Sequence, residues 1–235
     1  KPKKAPKPKA PVELKDYGFV AVCMGKGITN ILKDLGVDRV IEGGQTMNPS
    51  TDDILKAVKR VKAKTVYVFP NNKNIIMAAN QAAELVEDKK IVVIPSKSVP
   101  QCISAMVEFN DKKSAEANEK AMNKAIGRVT SGQLTYAVRD TEIDGIEIKK
   151  DDILGMVEGK IVTVGKDIDD VLNRVVSQMV DEDTEFLNVY YGKEIKKPQA
   201  DVMLKALETK YADDEIEVSF KKGGQPLYYY IISAE

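Results

Sequence analysis

From residue 17 to 110 the sequence alternates near-continuous apolar runs with stretches whose apolar residues return every three or four positions. The runs are FVAVCM (19–24), DRVIEG (38–43), TVYVFP (65–70) and KIVVIPS (90–96). After the first run, Ile28, Ile31, Leu32 and Leu35 share one helical face, and Gly36 stands where a helix would stop. Residues 50–61 form a second helix, with Ser50 and Asp53 spaced as a capping box. Ile75, Ile76, Ala79, Ala83 and Val86 mark the inner face of a third, and residues 99–109 a fourth. Apolar strands separated by helices predict an α/β fold with a parallel sheet covered on both faces. Right-handed crossovers then bring the C-terminal ends of all strands to one edge, where α/β sheets bind ligands. Four loops leave that edge: Gly25-Lys26-Gly27, residues 43–50, residues 71–74 and residues 96–98.

Beyond Asp111 the pattern changes. A polar amphipathic helix (112–126) leads into short strands, with hairpin turns signalled by Asp144-Gly145 and Glu158-Gly159. Val171, Leu172, Val175, Val176 and Met179 mark one more helix face, and FLNVYYG, DVMLKALETKY and EIEVSF read as strand, helix and strand. The expected organisation is a linker over 1–13, an α/β lobe over 14–110 and an α+β lobe over 111–235. The linker reads KPKKAPKPKA, an extended charged spacer. A spacer at the first residue suggests that the chain is a piece of a longer protein.

Composition excludes several classes. Lys plus Arg equals Asp plus Glu at 36 each, which argues against a nucleic-acid groove. The chain has no His, so Ser-His-Asp and Cys-His catalysis are absent, as is the commonest metal ligand. Its two cysteines, Cys23 and Cys102, lie in apolar runs and read as buried free thiols of a cytoplasmic protein. No apolar run approaches the ~20 residues of a membrane span.

The strand-end loops supply the candidate site. Gly25-x-Gly27-x-x-Asn30, with Glu42 at the end of the next strand, is two thirds of a dinucleotide fingerprint; Asn30 stands where the third glycine would allow close helix-strand packing, so the plainer reading is a tight turn. In EGGQTMNPS (42–50), Thr46 and Asn48 offer a hydroxyl and an amide ahead of a helix N-terminus; the same residues can serve only as turn and cap. Asn71, Asn72 and Asn74 could hold a carboxylate or carbonyl, or simply cap the following helix. Lys26 and Lys97 are the cations placed to assist. Asp52 and Asp53 complement a helix dipole rather than bind Mg²⁺. Lys56, Lys59 and Arg60 share a helix face and form either a solvated surface or a basic docking patch. Tyr228, Tyr229 and Tyr230 alternate faces, half core and half surface.

Four segments, EGGQTMNPSTDDI, FPNNKNIIMAANQAAEL, TYAVRDTEIDG and GGQPLYYYIISAE, resemble in content and order the C-terminal region of the fatty acid kinase A family, dihydroxyacetone-kinase-like proteins with a DegV-like C-terminal domain. The resemblance covers residues 17–235. It implies a DegV-like two-lobe fold, a parallel-sheet first lobe and an α+β second lobe. In that family a separate N-terminal domain binds ATP and Mg²⁺ and phosphorylates a fatty acid carried by a DegV-type binding protein. The resemblance therefore implies a chain without cofactor or catalysis of its own, docking the DegV-type carrier, and a homodimer in the full-length protein. Thr46-Met47-Asn48-Pro49-Ser50 is similar to the Thr-Ser-Gln-Pro-Ser loop with which DegV proteins help hold a fatty acid carboxylate, but Met47 stands where they have Ser. Residues 71–74 replace their Ser-rich second loop. These departures favour a docking platform, with a crevice that binds an acyl or other anionic ligand as the alternative.

Overall fold

The computed structural model describes residues 11–235, so most of the expected linker lies outside the described residues. β1 (Lys15–Cys23), β2 (Arg39–Glu42), β3 (Ala63–Phe69) and β4 (Lys90–Val93) form a wholly parallel sheet in the order β2-β1-β3-β4. Side chains alternate across it. Phe19, Ala21, Cys23, Tyr67 and Phe69 face α1 (Lys26–Asp34) and α4 (Val99–Glu108). Val20, Val22, Val66 and Val68 face α2 (Thr51–Arg60) and α3 (Ile76–Glu84). Burial on both faces is why these strands need no polar alternation. The capping box of α2 is present: Asp53 N donates to Ser50 Oγ at 3.1 Å and Ser50 N to Asp53 Oδ2 at 2.9 Å.

The chain then passes through α5 (Ala115–Arg128), which packs against α4 and buries Met122 in the core shared with β1 and β3. A second sheet follows in the order β11-β10-β12-β5-β8-β9, where β5 is Thr130–Tyr136, β8 Ile153–Val157, β9 Lys160–Gly165, β10 Phe186–Tyr191, β11 Glu217–Lys222 and β12 Tyr230–Ala234. Within it the β10–β11 pair is parallel and the other pairs are antiparallel. β6 (Thr141–Ile143) and β7 (Ile146–Ile148) stand apart as a two-stranded ribbon. The turns of both predicted hairpins have positive φ at each central residue, Asp144 at 51° and Gly145 at 78°, Glu158 at 50° and Gly159 at 76°, the backbone that matches strand twist.

One face of the second sheet packs Leu187, Val189, Tyr230 and Ile232 against α6 (Ile168–Met179) and α7 (Lys197–Lys210). Its other face contributes Tyr190 and Ile231 to the core of α1, α4 and the first sheet. The order of layers is thus helices, sheet, helices, sheet, helices. A helix layer between two sheets has to be apolar on two sides, and α4 accordingly buries Pro100, Cys102, Ala105 and Met106. The free edge at β9 is closed by a bulge and by α6: Arg174 Nη2 donates to Val164 O at 3.3 Å and Gln178 Nε2 to Val162 O at 3.5 Å.

Candidate functional site

The turn through Gly25 and Gly27 contacts the second lobe. A Cβ on Gly27 would lie 1.9 Å from the carbonyl oxygen of Lys222, and one on Gly25 would lie 2.6 Å from that of Gly223. Ile28 N donates to Gly223 O at 3.0 Å. In a dinucleotide fold, the free N–H groups of this helix start hold the phosphate. Here the third of them is taken by a carbonyl oxygen, which repels an anion. The glycines serve close approach between lobes, which disfavours the dinucleotide alternative. Lys26, beside this contact, is exposed and lies outside the crevice.

The second glycine pair acts differently. Gly43 and Gly44 have φ of 152° and 93°, and Gly44 N donates to Met47 O at 3.0 Å. This tight reversal sends Gln45 into the crevice and leaves Thr46, Met47 and Asn48 exposed. Thr46 and Asn48 therefore do not join the other crevice candidates. Asn48 lines a separate shallow depression beside β2, with Arg39, Glu42, Lys56 and Arg60. Sequence reasoning missed Gln45; two glycines immediately before it were the available signal of a chain reversal.

Asn71, Asn72, Asn74 and Lys97 do meet, around a cavity of about 280 Å³ between the lobes. Two of the three amides are used by the chain's own groups. Asn71 Nδ2 donates to Val22 O at 2.9 Å, and its Oδ1 accepts from Ser96 Oγ at 2.7 Å. That pair ties together the ends of β1, β3 and β4. Asn72 Nδ2 donates to Gly44 O at 2.8 Å, and its Oδ1 accepts from Asn74 N at 2.8 Å. From the second lobe, Gln133, Met156 and Tyr228 complete the wall. Ser98, the N-cap of α4, lies 2.7 Å from Ser131 and closes one end between the lobes.

The lining is apolar or neutral apart from Lys73, Lys97 and Glu158, all exposed. Cys23 is the one thiol on the wall; burial, opposed by its contact with Thr29 and aided by the charge of Glu42, pushes its pKa up and keeps it protonated. A protonated thiol, neutral amides and hydroxyls offer hydrogen bonds but no general base. Gln45 Oε1 is buried here without a partner. Among the described residues no group of three acidic, cysteine or histidine side chains converges as a metal site, and no helix is long and apolar enough to cross a membrane.

On the outer face of α2, Lys56 pairs with Asp52 at 2.5 Å, while Lys59 and Arg60 are exposed in its last turn.

A family model for the C-terminal region of fatty acid kinase A-like proteins matches residues 18–235. The chain belongs to this family. Protein YloV of Bacillus subtilis is 50% identical over 219 residues, which are 93% of this chain and 39% of YloV. The chain spans about two fifths of the length of the curated relatives it matches. The fatty acid kinase A-like fold is shared more widely. A DegV family protein from Ruminococcus gnavus, solved with vaccenic acid, aligns with a TM-score of 0.62 at 14% identity over 93% of this chain and 99% of that one. Dihydroxyacetone kinase from C. freundii, solved with AMP-PNP and Mg²⁺, aligns with a TM-score of 0.59 at 11% identity over 95% of this chain and 49% of that one. At these identities the likeness carries the fold alone, and the fold is DegV-like.

Proposed function

We propose that the chain is a non-catalytic module of a larger fatty acid kinase, and that it docks a DegV-type fatty-acid-binding protein so that a separate ATP- and Mg²⁺-binding domain phosphorylates the bound fatty acid. Family membership supports the link to fatty acid phosphorylation. The observation that carries the docking reading is the state of the strand-end amides: Asn71 and Asn72 each commit one amide N–H and the Oδ1 to the chain's own groups. A DegV-like fold whose ligand-side amides are partly tied to its own chain offers a carboxylate fewer free donors. The two buried free thiols fit a reducing, cytoplasmic setting. Homodimerisation is assigned to the whole protein.

The test mixes the purified chain with a fatty-acid-loaded DegV-type protein from the same organism. Co-elution without ATP-dependent acyl phosphate formation is the expected result. Acyl phosphate formed by the chain alone, or separate elution at micromolar concentrations, contradicts the proposal.

On this reading Lys56, Lys59 and Arg60 steer an acidic patch of the carrier electrostatically, an effect on association rate that salt weakens. Replacing all three with Glu then slows association several-fold at low ionic strength; an unchanged rate makes the patch a solvated face only. A second reading, a small acyl or anionic ligand in the crevice at Asn71, Asn72, Asn74 and Lys97, is favoured by the second amide N–H of Asn71 and of Asn72 and by the Lys97 ammonium, while Gln45 Oε1, an acceptor without a partner, calls for a donor group on that ligand. Organic extraction of the purified chain separates the two, since only a ligand-binding module releases lipid.

A further inference from the structure

β6 and β7 project as a ribbon in which residues 138–145 are all exposed and Ile148 is buried. An isolated two-stranded ribbon is marginally stable in water. It is tied at its base, where Lys150 N donates to Asp140 Oδ1 at 2.7 Å and Asp151 N to Ala137 O at 2.8 Å. Val138, just before the ribbon, and Ile143 within it are 71% and 41% exposed.

Beside that base lies a second irregular feature. Leu227 has φ of 69°, and Tyr228 N donates to Pro226 O at 2.8 Å across it, a three-residue turn of the rare, strained kind. Thr135 Oγ1 holds the strained residue by donating to Leu227 O at 2.7 Å. The turn sets Tyr229 against Tyr136 with ring centroids 5.9 Å apart, on the surface, while Tyr228 lines the crevice and Tyr230 is buried in the core. Strain of this sort persists where the surroundings impose it, and it clusters at functional positions. Two partly exposed tyrosines, a residue type enriched at interface centres, lie beside Leu227, and Val138 follows Tyr136 by two residues. The border of this group is mixed with a small acidic excess. Residues 139–151 contain Asp140, Glu142, Asp144, Glu147 and Asp151 against Arg139, Lys149 and Lys150, and Lys149 pairs with Glu147 at 2.6 Å. Glu194 and Asp151 lie close enough to Tyr229 to act on its phenol.

We propose that the Tyr136, Tyr229 and Leu227 platform, together with the β6–β7 ribbon, is the docking surface for a folded protein partner that presents an apolar spot ringed by Lys and Arg. The inference rests on the docking function proposed above, and its partner is the DegV-type carrier. The acidic excess of the border selects a basic rim, and the tyrosine pair supplies the buried centre.

The test is a titration of the chain and its variants with the purified DegV-type protein, with folding checked by circular dichroism. Tyr229→Ala weakens binding about thirtyfold, the loss typical of a central interface aromatic. Val138→Asp changes a well-exposed side chain, so it leaves folding intact and weakens binding about tenfold. Exchanging Glu142 and Glu194 together for Lys slows association and flattens its salt dependence. If the unaltered chain binds while Tyr229→Ala and Val138→Asp bind equally well, the surface is wrong and the docking function stands. If the unaltered chain does not bind at all, the docking function falls, and this surface with it.

Discussion

Two glycine pairs leave the same edge of the first sheet, and they do opposite things. Gly25 and Gly27 bring the helix start against the backbone of residues 222–225, so the close approach is between parts of one chain. Gly44 meets no such obstacle; a Cβ there would find Val22 Cγ1 at an ordinary 3.5 Å. In that pair the glycines provide the backbone angles of a reversal, and what they deliver is the side chain of Gln45. A glycine at a strand end therefore announces closeness or curvature without naming its object. The distinction matters for function, because the first pair lets a carbonyl oxygen take one of the helix's free N–H groups.

Three substitutions probe the contrast, in decreasing order of effect. Gly27→Ala places a methyl group on a backbone oxygen and displaces the Ile28 to Gly223 hydrogen bond. Its expected cost is on the order of 3 kcal/mol or more, read from the urea midpoint. A loss under about 1 kcal/mol would remove the inter-lobe latch from the account. Gly44→Ala is strained by φ of 93° but has room for the methyl, so it costs about 1–2 kcal/mol. Should it equal Gly27→Ala, the two pairs are not different in kind. Gln45→Leu removes a buried acceptor that has no partner, and stability changes by less than about 0.5 kcal/mol or rises. A drop of more than about 1 kcal/mol indicates that something in the crevice holds Gln45, which favours the ligand-binding reading.

Local physics was readable. The strands of the first sheet, the Ser50 and Asp53 capping box, the Asp144-Gly145 and Glu158-Gly159 turns and the inner face of α6 each depend on residues within a few positions of one another. The alternation of the terminal tyrosines was visible too, though not that three environments would result, core for Tyr230, crevice for Tyr228 and surface for Tyr229. What could not be read were contacts set by tertiary packing. Gly27 meets a carbonyl almost two hundred positions away, and nothing near it in sequence encodes that. The candidate site failed where a single loop reversal decided orientation: Thr46 and Asn48 have suitable chemistry at a suitable strand end, but the turn between Gly44 and Met47 points them to solvent. Asn71 and Asn72 lie on the edge, and only the structure reveals that one N–H of each amide is engaged within the chain.

The pKa directions fit a structural role for the polar groups of α2. Hydrogen bonds from the Ser50 backbone and hydroxyl lower the pKa of Asp53 below its usual 3.8. A lowered carboxylate pKa stabilises the fold above the unfolded value, and that contribution disappears as pH falls through the folded value. The capping box thus weakens only in acid, and docking near neutral pH is unaffected by it.

The central claim is that this module binds the carrier and catalyses nothing. Its most direct test is competition: the isolated chain is added in excess to a reaction containing a full-length fatty acid kinase of this family, the DegV-type carrier loaded with fatty acid, ATP and Mg²⁺. A docking module without catalytic power captures the carrier unproductively. Acyl phosphate formation is expected to fall as the chain is added and to recover when more carrier is supplied. A rate that stays constant at saturating amounts of the chain, or one that rises, contradicts it.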